Sequence, residues 1–258
     1  TFVIMFLLMQ SAKLHGWKWF VVSVENSAGS LTRMLVEFYH KTAIKHLNQS
    51  QIMDAMIFIE KHFDIVDNQN SYNYLDVLAM GEKLWNAKKI DGIFIDPYNA
   101  LELDEGLLKT YGDHNYHYRV TSAFRNFTKK HDCCIYLNCH AVTEALRRTW
   151  GKDNAPDSEV IGHPMPPKKS DIEGGGKFAN RADDFLIIHR YTQHKSLYRV
   201  TEIHVVKTKE TETGGKNTPL SEPIKLMLAD GNCNFLPYGF HEIYEDEPSA
   251  TFIENPPF

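Results

Sequence analysis

Eight apolar residues in succession, Phe2 to Met9, open the chain behind a single threonine. A run this apolar belongs inside a protein, and residues 2–15 predict a helix covered on every side. "WFVVSVEN" (19–26) is a β-branched strand ending in an acid, and "SLTRMLVEFYHKTAIKHL" (30–47) returns to helical spacing, with Leu31, Leu35, Phe38 and Ala43 near one face. The alternation continues with a helix over 74–89 and a short buried strand over 90–97 stopped by proline. A helix over 116–131 follows, with Val120, Phe124 and Phe127 at i, i+4 and i+7, and then a strand over 133–140. Residues 141–180 form a long polar segment rich in Pro and Gly, after which 183–190, 200–207 and 223–228 predict late strands. Strands alternating with helices predict an α/β fold built on a mostly parallel, doubly wound sheet with helices on both faces. The last stretch, "HEIYEDEPSATFIENPPF", has five acids and no Lys or Arg. It reads as a disordered tail over 241–258 behind one domain over 1–240.

Composition narrows the class. A hydrophobic fraction of 43% in 258 residues is enough for one large α/β core. The net charge of -5 argues against a wholly basic nucleic-acid binder, while leaving room for a local basic loop on phosphates. Four cysteines, Cys133, Cys134, Cys139 and Cys233, have no framework spacing, which points to a reducing, cytoplasmic compartment. The opening run lacks a basic flank and a cleavage context for a signal peptide, and falls short of the about 20 apolar residues a bilayer span needs. The His-x-x-His spacing of "HNYHY" (114–118), without cysteines or acids at ligand spacing, reads as surface rather than zinc.

In open parallel sheets chemistry sits at the carboxyl ends of strands, and Glu25, Asp96 and His140 occupy such positions. Asp96 after "IFI" is placed to support a nucleotide-bound Mg²⁺, against the plain alternative of an Asp-Pro turn. Glu25 after "VVSV" is placed to polarise an attacking water, against that of a helix N-terminal acid. His140 after "IYLNC" is placed to sense a phosphate, against that of an ordinary satisfied histidine. A phosphate loop of the form G-x-x-x-x-G-K-[ST] is absent: "EGGGKF" has Asp171 and Phe178 at the wrong places, and "TGGKN" has Glu210 and Asn217. Such a loop is followed at once by a buried apolar helix and then a strand, which is the form of residues 1–26 with the loop missing from the front.

These residues resemble the RecA-type motor domain of DnaB-like replicative helicases, a family that includes phage primase-helicases and the mitochondrial replicative helicase. Thr1-Phe2 looks like the end of the family's "GKTTF". "FVVSVENSAGSLTRML" (20–35) is similar to its catalytic-glutamate strand and following helix, with Arg33 near the family's arginine. "IDGIFIDPYNAL" (90–101) resembles its Walker B strand, and "YRVTSAFRNFTKKHDCCIYLNCH" (118–140) the helix and strand leading to its polar sensor. "SDIEGGGKFANRADDFLIIHR" (170–190) resembles its DNA-loop and acidic-strand segment, and "VVKTKETETGG" (205–215) its Lys-x-Arg-x-x-x-G element. The resemblance covers roughly residues 1–230.

The resemblance implies an ATP-dependent helicase with ATP and Mg²⁺ as cofactors, single-stranded DNA as partner, and a ring of six subunits, in a bacterial or phage-infected cell. Glu25 would orient the hydrolytic water, Asp96 would support Mg²⁺, and Thr1 and Arg33 would lie on the nucleotide side. His140 would couple phosphate state to the DNA loops. Lys207 and Lys209 would reach a neighbour's nucleotide, although the family usually has arginine where Lys209 stands. Arg147, Arg148, Lys168, Lys169 and Lys177 would meet DNA. The acidic tail would offer a docking segment for a polymerase or another replication protein. Without its phosphate loop the chain is expected to be a fragment of a longer helicase or primase-helicase. The alternatives are a related recombinase- or clock-type ATPase that does not unwind duplex, and a non-catalytic nucleic-acid-binding module.

Overall fold

The computed structural model describes residues 1–66, 68–172, 180–210, 212 and 215–238. Helix α1 (Phe2–His15) is the apolar opening run; it buries Val3, Met5, Phe6, Leu8, Met9 and Ala12 and stops at Gly16, whose φ of 71° is the left-handed cap glycine adopts without a Cβ penalty. Strand β1 (Trp19–Ser23) is buried along its whole length. Helix α2 (Ala28–His40) begins at Ser27, whose hydroxyl accepts the Ser30 N–H, and buries Leu31, Leu35 and Phe38 as the periodicity requires. It ends earlier than the spacing predicts, because Lys41 turns left-handed at φ 54°, so Ala43 lies outside the helix.

Residues 49–66 hold two elements the sequence pattern did not predict. Helix α3 (Gln49–His62) starts at a reciprocal cap in which Asn48 and Gln51 each bond the other's backbone N–H, and strand β2 (Phe63–Val66) follows directly. Helix α4 (Tyr74–Lys88) starts at a similar cap made by Asn73 and Asp76. Strand β3 (Gly92–Asp96) leads to helix α5 (Glu105–His131), which begins well before residue 116 and breaks at Gly112, φ 69°. Strand β4 (Cys134–Leu137) completes the first half.

These strands form a four-stranded sheet in the order β2-β1-β3-β4, with every pair parallel. Successive residues of a strand point to opposite faces. Trp19, Val21 and Phe94 therefore pack with α1, α2 and α3, while Phe20, Val22, Ile93 and Ile95 pack with α4 and α5. Burial on both faces is why these strands read as continuous apolar runs. Gly92 permits the close fit at the base of the sheet: a Cβ there would lie 2.2 Å from the Trp19 ring and 2.8 Å from Cys134 Sγ.

The late strands β5 (Phe185–His189), β6 (Val200–Lys207), β7 (Ile224–Leu228) and β8 (Phe235–Pro237) do not extend the parallel order. They pair among themselves, β5-β6-β7-β8, and all pairs are antiparallel. No described α-helix separates them, and neighbours joined without a crossover run antiparallel. Leu226, Leu228 and Phe235 pack against the α1–α2 core. All four cysteines are free. Among the described residues no helix is long and apolar enough to cross a membrane.

Candidate active site

Parallel register brings the carboxyl ends of β1, β3 and β4 to one rim. Ser23 and Asp96 lie opposite each other as the last residues of β1 and β3, and the Val24 N–H donates to the Asp96 carbonyl at 3.0 Å. Asp96 is 1% exposed. Its Oδ2 accepts from the Thr1 hydroxyl at 2.5 Å, and its Oδ1 accepts from the Asn138 amide, one residue beyond β4. Thr1 stands at the N-cap of α1, so the positive end of a 14-residue helix points at this carboxylate.

Glu25 lies two residues past β1 and His140 three past β4, both half-exposed. The His140 Nε2 is 3.8 Å from Glu25 Oε1, and the His140 backbone N–H donates to Asn99 Oδ1 at 2.9 Å. Glu25, Asp96, His140 and Thr1 therefore gather on one edge. An exposed carboxylate beside an exposed imidazole can accept a proton from water, while a buried carboxylate with a hydroxyl beside it offers hard oxygen donors to a cation. Arg33 is exposed on α2, on the side of Glu37 and Cys233, and among the described residues it makes no hydrogen bond or ion pair with the rim.

Lys207 and Lys209 are held within their own chain. The Lys207 ammonium donates to the carbonyls of Asn180 and Ala182, and Lys209 lies 3.2 Å from the Asp183 carboxylate. Contact with a neighbouring subunit would require both to leave these partners.

The exit from β4 runs straight into the basic segment, because Val142 N–H donates to the Asp171 carbonyl and Ala141 bridges Ile172. Arg147, Lys168 and Lys152 are exposed there, Lys169 is half-buried, and Arg147 pairs with Glu144 at 3.1 Å. Arg148 is already engaged: its guanidinium grips the Asp171 carboxylate, which also accepts the Lys168 N–H. Lys177, glycines 174–176 and the 241–258 tail lie outside the described residues.

Burial alone would raise the Asp171 carboxyl, but the Arg148 guanidinium and the Lys168 N–H outweigh it and hold the group below the usual carboxylate range. A depressed folded pKa adds stability above the ordinary value of about 3.9 and loses it as pH falls through the lower folded value. Arg148→Ala is therefore expected to cost about 1–3 kcal/mol near neutral pH, through the buried carboxylate left short of a donor. The gap between variant and parent should narrow on acidification below about pH 4. Urea denaturation at both pH values measures this; an equal loss at each would remove the ion pair as the cause.

Asn138, Asn99 and Asn26 take part in the rim without having been singled out from the sequence. Asn26 donates to the buried Ser23 hydroxyl through its backbone and side chain, which fixes the turn carrying Glu25. Their common signal was an amide side chain just past each apolar strand.

No protein-family model matches the chain. A Twinkle homolog, chloroplastic/mitochondrial, from Arabidopsis thaliana is 24% identical over 186 residues, covering 68% of this chain and 24% of its own length. The chain thus spans about a quarter of that curated relative. Among solved structures, an isolated ATPase domain of the DnaB-like helicases superposes with a TM-score of 0.66 at 14% identity, covering 92% of this chain and 81% of that one. A DnaB-like replicative helicase, described with its interactions with primase, superposes at 0.65 and 13% identity, covering 90% of this chain and 54% of that one. The chain has the RecA-like α/β fold of the DnaB-like helicase ATPase domains.

Proposed function

We propose that the chain is the motor core of a replicative DNA helicase, one that hydrolyses ATP with Mg²⁺ and moves along single-stranded DNA as a six-membered ring. The observation that carries this is the rim: Glu25, Asp96, His140 and Thr1 on one edge of a parallel sheet, at the N-terminus of α1. A helix N-terminus favours phosphate through its free N–H groups and its dipole. Asp96 and the Thr1 hydroxyl, 2.5 Å apart, fit Mg²⁺ by donor type. Bound there, the ion neutralises charge on phosphate oxygens.

Glu25 takes the proton of the attacking water. His140 answers to occupation of the rim, and its main chain passes the change to the Arg147–Lys169 segment that faces DNA. Lys207 and Lys209 act across the subunit boundary after leaving the carbonyls and carboxylate that hold them. A phosphate-binding segment ahead of Thr1 would belong to the same protein. Support for it comes from the edge strands of the two sheets, where Tyr136 on β4 and Leu186 and Ile188 on β5 stay 44%, 47% and 37% exposed.

The test is ATP hydrolysis by the protein expressed with the coding sequence upstream of Thr1. Turnover should rise when single-stranded DNA is added, and labelled strands should be displaced from a fork. Absence of nucleotide binding, or hydrolysis indifferent to DNA, overturns the proposal. DNA-stimulated hydrolysis without strand displacement would favour the related ATPases that do not unwind.

A further inference from the structure

Three buried side chains converge on the second sheet, away from the rim. His189 on β5 and Glu202 on β6 stand directly opposite in the antiparallel register, and His204 lies two residues beyond Glu202, on the same sheet face. They are 8%, 6% and 3% exposed. Glu202 Oε2 lies 3.1 Å from His189 Nδ1 and 3.4 Å from His204 Nε2. One donor atom from each residue lies within 4.8 Å of the others. Tetrahedral ligands at zinc bond lengths stand about 3.4 Å apart, so the cluster is already near that spacing.

The polar bookkeeping points the same way. His189 Nε2 and both ring nitrogens of His204 are buried without a hydrogen-bond partner among the described residues. At 3.4 Å the His204–Glu202 approach is too long for a good N–H···O bond. A nitrogen lone pair turned toward a carboxylate oxygen is repulsive unless a positive charge lies between them, and burial sharpens that repulsion. The surroundings hold the carboxylate in place: Lys225 Nζ is 3.9 Å from Glu202 Oε1, on the side away from the imidazoles' partner oxygen. The Tyr191 ring stands edge-on to His189 with centroids 4.6 Å apart, and its hydroxyl accepts from Trp150 Nε1 at 3.0 Å.

We propose that His189, Glu202 and His204 bind one Zn²⁺ or a similar borderline divalent ion, which staples β5 to β6. Two imidazole nitrogens and one carboxylate oxygen select such an ion over Mg²⁺, whose sites are built from oxygen alone. Three protein ligands leave a fourth position for water. The staple acts on the strand that ends in Lys207, so it fixes the base from which Lys207 and Lys209 project. It rests on the geometry of the second sheet and stands whether or not the chain is a helicase.

The test uses the chain stripped with a chelator and then exposed to ZnCl₂ in excess Mg²⁺. Elemental analysis after gel filtration should find one zinc per chain, and the melting temperature should rise reversibly with zinc. Cobalt in place of zinc should give the intense visible absorption of a four-coordinate site, a readout on the unaltered chain that no misfolded variant can confuse. The double variant His189→Gln, His204→Gln should bind at least about 10-fold more weakly and lose the cobalt spectrum, the least expected when even supporting contacts to a ligand matter that much. Asp96→Asn should keep both zinc and spectrum, which separates this site from the rim. A folded chain that emerges without zinc overturns the proposal, as does a double variant that keeps the spectrum or an Asp96→Asn variant that loses it.

Discussion

Replacing Glu25 with glutamine is expected to stop ATP hydrolysis in the protein while nucleotide binding continues. The carboxylate is about half-exposed, and its approach to His140 Nε2, 3.8 Å, is longer than a hydrogen bond, so little structure depends on its charge. Glutamine keeps the shape and removes the proton acceptor. The rim contacts that would hold nucleotide and cation, Thr1 and Asn138 on Asp96, are untouched. A positioned general base contributes about 10²–10⁴ in rate, and kcat should fall by that much with no matching change in affinity for a non-hydrolysable analogue. Turnover near the parent rate would remove Glu25 from the proton transfer. A parallel loss of affinity would instead make it part of the binding surface.

How far the rim was legible follows from where its residues come from. Glu25, Asp96 and His140 each follow an apolar strand buried on both faces, and a parallel register carries such ends to one edge whatever the intervening helices do. The amides beside them, Asn138 above all, have no spacing of their own and show their role only once β3 and β4 are paired. The fold was legible where burial is two-sided. It failed at α3, whose exposed Met53, Met56 and Ile57 blur the apolar stripe while only Ala55, Ile59 and His62 are buried. It failed at β2 too, where Asp64 interrupts the run and pairs with Lys88 at 2.5 Å. The late strands were visible as strands, but their direction depends on connections that periodicity does not encode. The His-Glu-His cluster lies deeper still. His117, in the suggestive His-x-x-His, is half-buried and bonds the Tyr98 hydroxyl at 2.8 Å. His189 and Glu202 are 13 residues apart and meet only through strand register.

Phe38→Ala is expected to be the most damaging single change to stability. Phe38 is 1% exposed on the inner face of α2. Its ring lies 4.9 Å from Phe2 and 5.5 Å from Phe6 on α1, and these two lie 5.7 and 5.1 Å from Phe235 on β8. Four rings thus join the helix layer of the parallel sheet to the last strand of the antiparallel one. Truncating such a phenylalanine removes its transfer free energy and leaves a cavity, about 3–5 kcal/mol. Against a total of about 5–15 kcal/mol, that is a third or more of the stability of an ordinary domain. Urea denaturation should show the loss as a shift in midpoint, and Phe38→Leu should recover much of it; a cost below about 1 kcal/mol would mean the cluster collapses freely around the gap. The consequence reaches the rim, because Phe2 is the first residue of α1 and its neighbour Thr1 supplies the hydroxyl on Asp96. Loosening the first turn of that helix frees Thr1 from the carboxylate, so nucleotide affinity should weaken in Phe38→Ala even below its unfolding temperature, whereas Glu25→Gln leaves it intact.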